Sequence, residues 1–492
     1  MHKRFSFWGL LGLALALVCC LHLPAVARGD LPANPGPRHY DELTFPPLPE
    51  ITLPAYERYS LPNGLVVYLV EDHHLPLVRG NALFRAGSRW EPAEKVGLAQ
   101  LTGITMRLGG TQSHPSADLN RLLEQRAAAI ETSISTSSGS ASFDALSKDT
   151  DFVLQLFAEV IQTPAFELEQ VALATNQLRG AIARRNDNPS DIASREFSKL
   201  LYGAESPYAR TVEYSTLGAI QQQNIINFHR TYIRPETTLL GIVGDFDRQQ
   251  MKALLKKYFG AWRVTTAKPN LAPPSASQHN DDHIFLADQA HLSQSTVLMG
   301  QLGGLAKDPD YPALTVMNGV LSGFGGRLFN NIRSQQGLAY SVSGSWQAAY
   351  DYPGTFLAGG QTRTETTAQF IQSLRAEIKR LQTSPVSPAE LTYAKESILN
   401  SFIFRFENPG QTLSRLMTYE YYGYPPDFIF DYQRQVKATT IDQIQTVAQK
   451  HLRPETMVTL IVGQEKGLQP QLQRLGSPVS TLDLTTQQAP SP

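Results

Sequence analysis

Tyr232–Gly244, YIRPETTLLGIVG, returns as His451–Gly463, HLRPETMVTLIVG, 219 residues further along the chain. Both copies set Arg-Pro-Glu-Thr ahead of a short apolar run that closes on Val-Gly. Such a run, bounded by a turn signal, reads as a strand buried on both faces. The repetition extends beyond the strand. Helical runs over about Asp151–Gln162 and Glu167–Arg185, broken at Thr163-Pro164, have a counterpart around Pro385–Pro388. There Ser387-Pro388-Ala389-Glu390 supplies an N-cap, a proline at the first helical position and a glutamate at the third. Units recurring at similar spacings imply a tandem duplication. The expected fold is α+β, two similar α/β domains of about 200 residues each.

Working outward, Thr265–Asn280 carries Pro269, Pro273 and Pro274 and reads as an interdomain linker. The repeats are therefore placed at 52–264 and 283–477, with the linker at 265–282 and a disordered polar tail at 478–492. Tyr59–Val70 has a hairpin signal at Asn63-Gly64. Leu98, Leu101, Ile104 and Leu108 form one apolar helix face. His73-His74, and His279 with His283, stand in polar or proline-rich surroundings that offer no third ligand for a metal.

Lys and Arg number 43 against 44 Asp and Glu, so there is no basic footprint for nucleic acid. His2-Lys3-Arg4, the apolar stretch Trp8–Leu21 and Ala25-Val26-Ala27 form a signal peptide over 1–27. Its core is too short for a stable membrane span, which takes roughly 20 residues. Val18 before Cys19 and Cys20 argues against a lipid-anchored cysteine. The expected location is periplasmic or extracellular, and a proline-rich arm follows over 28–51. Both cysteines leave with the leader, so the mature chain can form no disulfide and has no thiol nucleophile.

Leu321–Trp346, LSGFGGRLFNNIRSQQGLAYSVSGSW, is a second stretch around which the chain is organised. The glycines at 323, 325 and 326 permit backbone conformations closed to other residues. Leu328, Phe329 and Ile332 predict a short helix ending at Gly337, and alternation then places Leu338, Tyr340, Val342 and Trp346 on one face of a strand. Arg333 and Tyr340 thus flank a turn and can aim a guanidinium and a phenol at one point.

NIRSQQGLAY resembles a segment in the second half of the pitrilysin/insulysin-type metallopeptidases, an inverzincin family that includes the mitochondrial processing peptidase. The resemblance extends over most of 52–470, through Tyr202-Gly203, Pro207-Tyr208 and Gly244-Asp245-Phe246-Asp247. It implies a clamshell-like architecture in which Arg333 and Tyr340 hold substrate backbone and steady the reacting carbonyl. Gly323, Gly325 and Gly326 join them as substrate-binding positions.

The same resemblance requires H-x-x-E-H on a first-half helix, with a further zinc-ligating glutamate downstream. Histidines at i and i+4 share a helix face, and the intervening Glu activates the metal-bound water. Here Gln100 and Ile104 replace the histidines and Gly103 replaces the base. Gly180 or Ala181 stands where the downstream glutamate belongs. No cofactor is expected in this chain, and no H-E-x-x-H, G-x-S-x-G or S-x-x-K substitutes for it.

The resemblance therefore implies a non-zinc subunit that completes the zinc site of a homologous H-x-x-E-H partner in a heterodimer acting on unfolded peptide. The alternatives are a non-catalytic structural or peptide-binding protein on the same fold, and an enzyme with an unrecognised site.

Overall fold

The repeated apolar runs become the strands β6 (Thr238–Gly244) and β11 (Val458–Gly463), almost wholly buried. Around β6 lie β1 (Glu57–Ser60), β2 (Val66–Glu71), β3 (Leu77–Phe84), β4 (Ala129–Ile134) and β5 (Gly139–Leu146). Around β11 lie β7 (Ile284–Asp288), β8 (Gln294–Leu302), β9 (Ala339–Gln347), β10 (Thr355–Arg363) and β12 (Val479–Thr481). The two six-stranded sheets run β1-β2-β6-β3-β5-β4 and β12-β7-β11-β8-β10-β9. Each central strand pairs in parallel on one side and antiparallel on the other. The duplication is thus exact in topology from the second strand of each order onward.

This computed structural model describes Leu43 and residues 53–485, all of the latter within one compact unit. The expected signal peptide over 1–27, the rest of the expected proline-rich arm and residues 486–492 lie outside the described residues. One boundary differs from expectation. The tail expected from 478 contributes β12, whose Val479 and Thr481 pair with Ile284 and Leu286. The first sheet fills the equivalent edge differently, with β1 of the hairpin. There Gly64 takes φ 91°, and the Asn63 amide donates to the carbonyls of Phe259 and Trp262.

The two similar domains also exchange helices. Helix Pro189–Tyr202 of the first repeat packs Ile192, Ala193, Phe197 and Leu201 onto Ala287, Val458, Leu460 and Val462 of the second sheet. Reciprocally, helix Pro409–Tyr422 packs Leu413, Leu416, Met417 and Tyr421 onto Tyr68, Val70 and Leu239 of the first. A Cβ on Gly241 would sit 2.4 Å from the Met417 sulfur, so this β6 glycine is what admits the exchanged helix. Arg89 crosses between repeats to both carboxylate oxygens of Asp351 at 3.0 and 2.8 Å, and Tyr208 stacks on Tyr352. The linker lies against this seam, where the His279 N–H donates to Leu201 O and the Tyr208 hydroxyl to Pro274 O.

The proline-broken helix pair is present in both repeats, at Thr150–Gln162 with Leu168–Ala183 and at Thr367–Thr383 with Pro388–Asn400. The capping box forms as expected between Ser387 and Glu390. Among the described residues no helix is long and apolar enough to cross a membrane.

Candidate functional site

The helix after the glycine cluster runs Leu328–Gln335 and is wound wider than an α-helix, in π-type turns. The Gln336 N–H donates to Asn331 O at 3.1 Å, and the Leu338 N–H reaches back to Ile332 O at 3.0 Å. Such turns are rare and recur at functional sites. Here they are held by fully buried Leu328 and Ile332 and by two polar anchors. Buried Arg327 pairs with Glu390, and the Asn331 amide donates to Glu377. The Arg327 guanidinium holds the Glu390 carboxyl well below its usual range, at about 2. The chain then turns at Gly337, φ 62°, into β9.

Tyr340 does not share a face with Leu338, contrary to the alternation read from sequence. Ser341 pairs with Gln361 but Ala339 pairs with Thr362, so Tyr340 is the extra residue of a β-bulge. A bulge re-aims one side chain, and it leaves Leu338 buried while Tyr340 is 82% exposed. Arg333, on the last turn of the helix, lies with its guanidinium carbon 5.0 Å from the Tyr340 ring centre and 4.8 Å from that of Phe329. Two aromatic faces thus hold the cation while its N–H donors stay available.

The glycine cluster forms a tight loop beside them. Gly323 and Gly325 adopt φ 94° and 91°. A Cβ on Gly326 would meet Ser322 backbone at 2.6 Å, the closeness that its N–H bond to Gly323 O requires. The Ser322 hydroxyl ties the loop to Gly344 of β9. Phe324 at the loop tip is 77% exposed, its ring 5.2 Å from Phe329, and its carbonyl accepts from the Tyr393 hydroxyl. Phe324 and Phe329 belong to the site, and sequence reading missed them. The available signal was an aromatic residue inside a glycine cluster.

At the degenerate zinc position the residues do not fit a metal. Helix Leu98–Leu108 packs against Leu168–Ala183, so the four positions belong to the same neighbourhood. Gln100 and Ala181 are exposed, and Ile104 is partly buried against the first-repeat core. Gly103, the base position, touches the backbone of β4. A Cβ there would lie 2.4 Å from the Ile134 nitrogen, and the Thr132 hydroxyl donates to Gly103 O. Strand backbone fills the space that a catalytic glutamate needs, which also explains a glycine inside this helix. One amide oxygen is the only donor left, short of the three protein ligands of a catalytic zinc. Among the described residues no three His, Cys, Asp or Glu are grouped to hold a metal. Buried Glu91 still caps this helix, accepting from the Gly97 and Ala99 N–H groups, while burial pushes its carboxyl up.

Two family models match adjoining stretches of the chain. Residues 67–212 match the model of the insulinase family, peptidase family M16, and residues 219–398 match the peptidase M16 inactive domain. An uncharacterized zinc protease of Mycobacterium leprae is 25% identical over 405 residues, 80% of this chain and 89% of that protein. The non-peptidase homolog YmxG of Helicobacter pylori is 24% identical over 406 residues, 80% of this chain and 91% of that one. The crystal structure of a peptidase M16 inactive domain from Pseudomonas fluorescens superposes with a TM-score of 0.74 at 24% identity, covering 83% of this chain and 98% of that one. By its sequence, its duplicated sheets and these matches, the chain belongs to the peptidase M16 family.

Proposed function

We propose that this chain is the non-zinc, substrate-binding subunit of an exported heterodimeric peptidase, with Arg333 and Tyr340 completing the site of an H-x-x-E-H partner. The observation that carries the reading is the placement of Tyr340: a bulge turns it out to solvent beside a guanidinium that makes no ion pair among the described residues. A side chain serving only the core would be turned inward. The Tyr340 hydroxyl donates to the reacting carbonyl oxygen, and the Arg333 fork holds peptide carbonyls before and during reaction. The metal and the water-activating base belong to the partner, since the residues here cannot hold one. The leader read from the sequence supports export.

Purification of the native exported protein tests this. A co-purifying homologue that carries H-x-x-E-H, with peptide cleavage by the pair and none by this chain, is the expected result. An inert homodimer with no such partner would contradict it. That outcome would favour a peptide-binding scaffold, a reading that the closure of β4 over Gly103 also suits.

A further inference from the structure

The exchanged helix Pro409–Tyr422 forms one wall of a cavity of about 720 Å³ whose other wall is the face of β3, β5 and β6. Arg405 and Arg415 both line it. Neither has an acidic partner among the described residues, in contrast to Arg79 on the opposite wall, which pairs with Asp144 at 2.7 Å. Their neighbours are aromatic: Arg405 lies 5.8 Å from the rings of Phe402 and Tyr432, and Arg415 lies 5.7 Å from that of Phe406. The Arg415 Nε is buried and has no hydrogen-bond partner. Burial raises the Tyr350 hydroxyl in the cavity, and both guanidiniums oppose that shift, so the two cations act on one place.

The duplication supplies an internal control. Asn188-Pro189, Ser194-Arg195 and Tyr202-Gly203 recur 220 residues later as Asn408-Pro409, Ser414-Arg415 and Tyr422-Gly423. At that spacing Arg185 and Arg195 are the counterparts of Arg405 and Arg415. Both are neutralised, by Glu213 and Glu196 at 2.7 Å each. Leu416 stands where Glu196 does, which removes one of those acids from the second repeat. The matching cavity on the second sheet, about 480 Å³, has no charged residue in its lining. The hydrogen bonds of Arg405 and Arg415 go to the phenols of Tyr432 and Tyr419 instead, and the architecture has no need of cations without an acidic partner at this place. Unpaired and partly desolvated charge is costly, and where it persists in a cavity it marks a site.

We propose that this cavity binds a carboxylate of a peptide, gripped by Arg405 and Arg415. The carboxylate comes from an acidic side chain or from a free C-terminus, and Phe404, 63% exposed at the rim, covers the adjoining residue. A guanidinium fork matches a carboxylate in geometry as well as charge. The inference rests on the reading of this chain as a peptide-binding subunit and adds a preference for acidic peptide.

The test is fluorescence anisotropy of the mature chain with three labelled peptides of one sequence. The first has one internal Glu and an amidated end, the second has Gln there and a free end, and the third has Gln and an amidated end. At least one carboxylate peptide should bind about tenfold tighter or more than the neutral one, the usual worth of a charged hydrogen bond, and which one does so identifies the source. The double variant Arg405→Gln/Arg415→Gln should abolish the preference, whereas Lys379→Gln, on the exposed pair with Glu455, should leave it. Should the double variant melt early, Arg405→Gln alone, outside both sheets, gives the same readout at smaller size. Equal binding of all three peptides, or a preference that survives in the double variant, overturns this inference and leaves the peptide-binding reading intact. Failure of all three to bind overturns both.

Discussion

The guanidinium of Arg333 and the ring of Tyr340 lie 5.0 Å apart, joined across a π-type turn and a β-bulge. Both devices are departures from regular structure, and each sets one of the two side chains. The π-type turn brings Arg333 to the end of its helix above β9. The bulge lifts Tyr340 out of the buried face. The pair is consequently preorganised by backbone that is itself anchored, through Arg327 to Glu390 and through Ser322 to Gly344.

Gly103→Ala should destabilise the chain by about 1–3 kcal/mol, the usual range for overpacking, because its Cβ would press on β4 backbone. Helix propensity alone forecasts the opposite sign, a gain of up to about 1 kcal/mol. Urea unfolding with an unchanged m-value decides between them.

For the same reason, the triple change Gln100→His, Gly103→Glu, Ile104→His should not restore stoichiometric zinc. The glutamate has no room, and Ala181 still supplies no third ligand. Metal analysis of the folded variant is the check. Tight binding of one zinc per chain would show that β4 moves aside readily.

His229 is buried, with Nε2 on Ile161 O at 2.8 Å, and burial lowers its pKa from 6.5 to about 4. The unfolded chain therefore binds this proton more readily. The stability tied to neutral His229 is complete above 6.5 and is lost as pH falls from there toward about 4. His229→Gln, which keeps a donor for Ile161, should flatten this part of the stability–pH curve. An unchanged slope would exclude His229 as its source.

Arg89 is buried and Asp351 nearly so. Asp351→Ala should cost about 3–5 kcal/mol, as expected when a buried charge loses its partner. Glu455→Ala, which breaks the exposed pair with Lys379, should cost under about 1 kcal/mol. Because each repeat lends a helix to the other, calorimetry of the parent should show one cooperative transition.

How much of this was legible beforehand depended on the range of the interaction. The β6 and β11 strands, the proline-broken helix pairs and the Ser387 capping box are local patterns, and they were read correctly. The exchange of helices was not readable, because an apolar face at Ile192 or Leu413 does not say which sheet it will meet. The reason for Gly103 lay in β4, some thirty residues away. Arg333 and Tyr340 stand out through the resemblance of NIRSQQGLAY to the family's segment, not through their spacing alone. The outward turn of Tyr340 depends on where β10 shifts register, which alternation within β9 alone does not encode.

The central claim is that Tyr340 acts on the partner's substrate. The direct measurement is steady-state cleavage by the reconstituted pair carrying Tyr340→Phe, with peptide affinity and melting temperature as controls. Removal of one preorganised donor to a developing oxyanion should lower kcat about 100- to 1,000-fold, with assembly, affinity and melting unchanged. Arg333→Ala should weaken peptide binding as well. Turnover within about threefold of wild type for Tyr340→Phe, far below such a donor's usual contribution, would contradict the account.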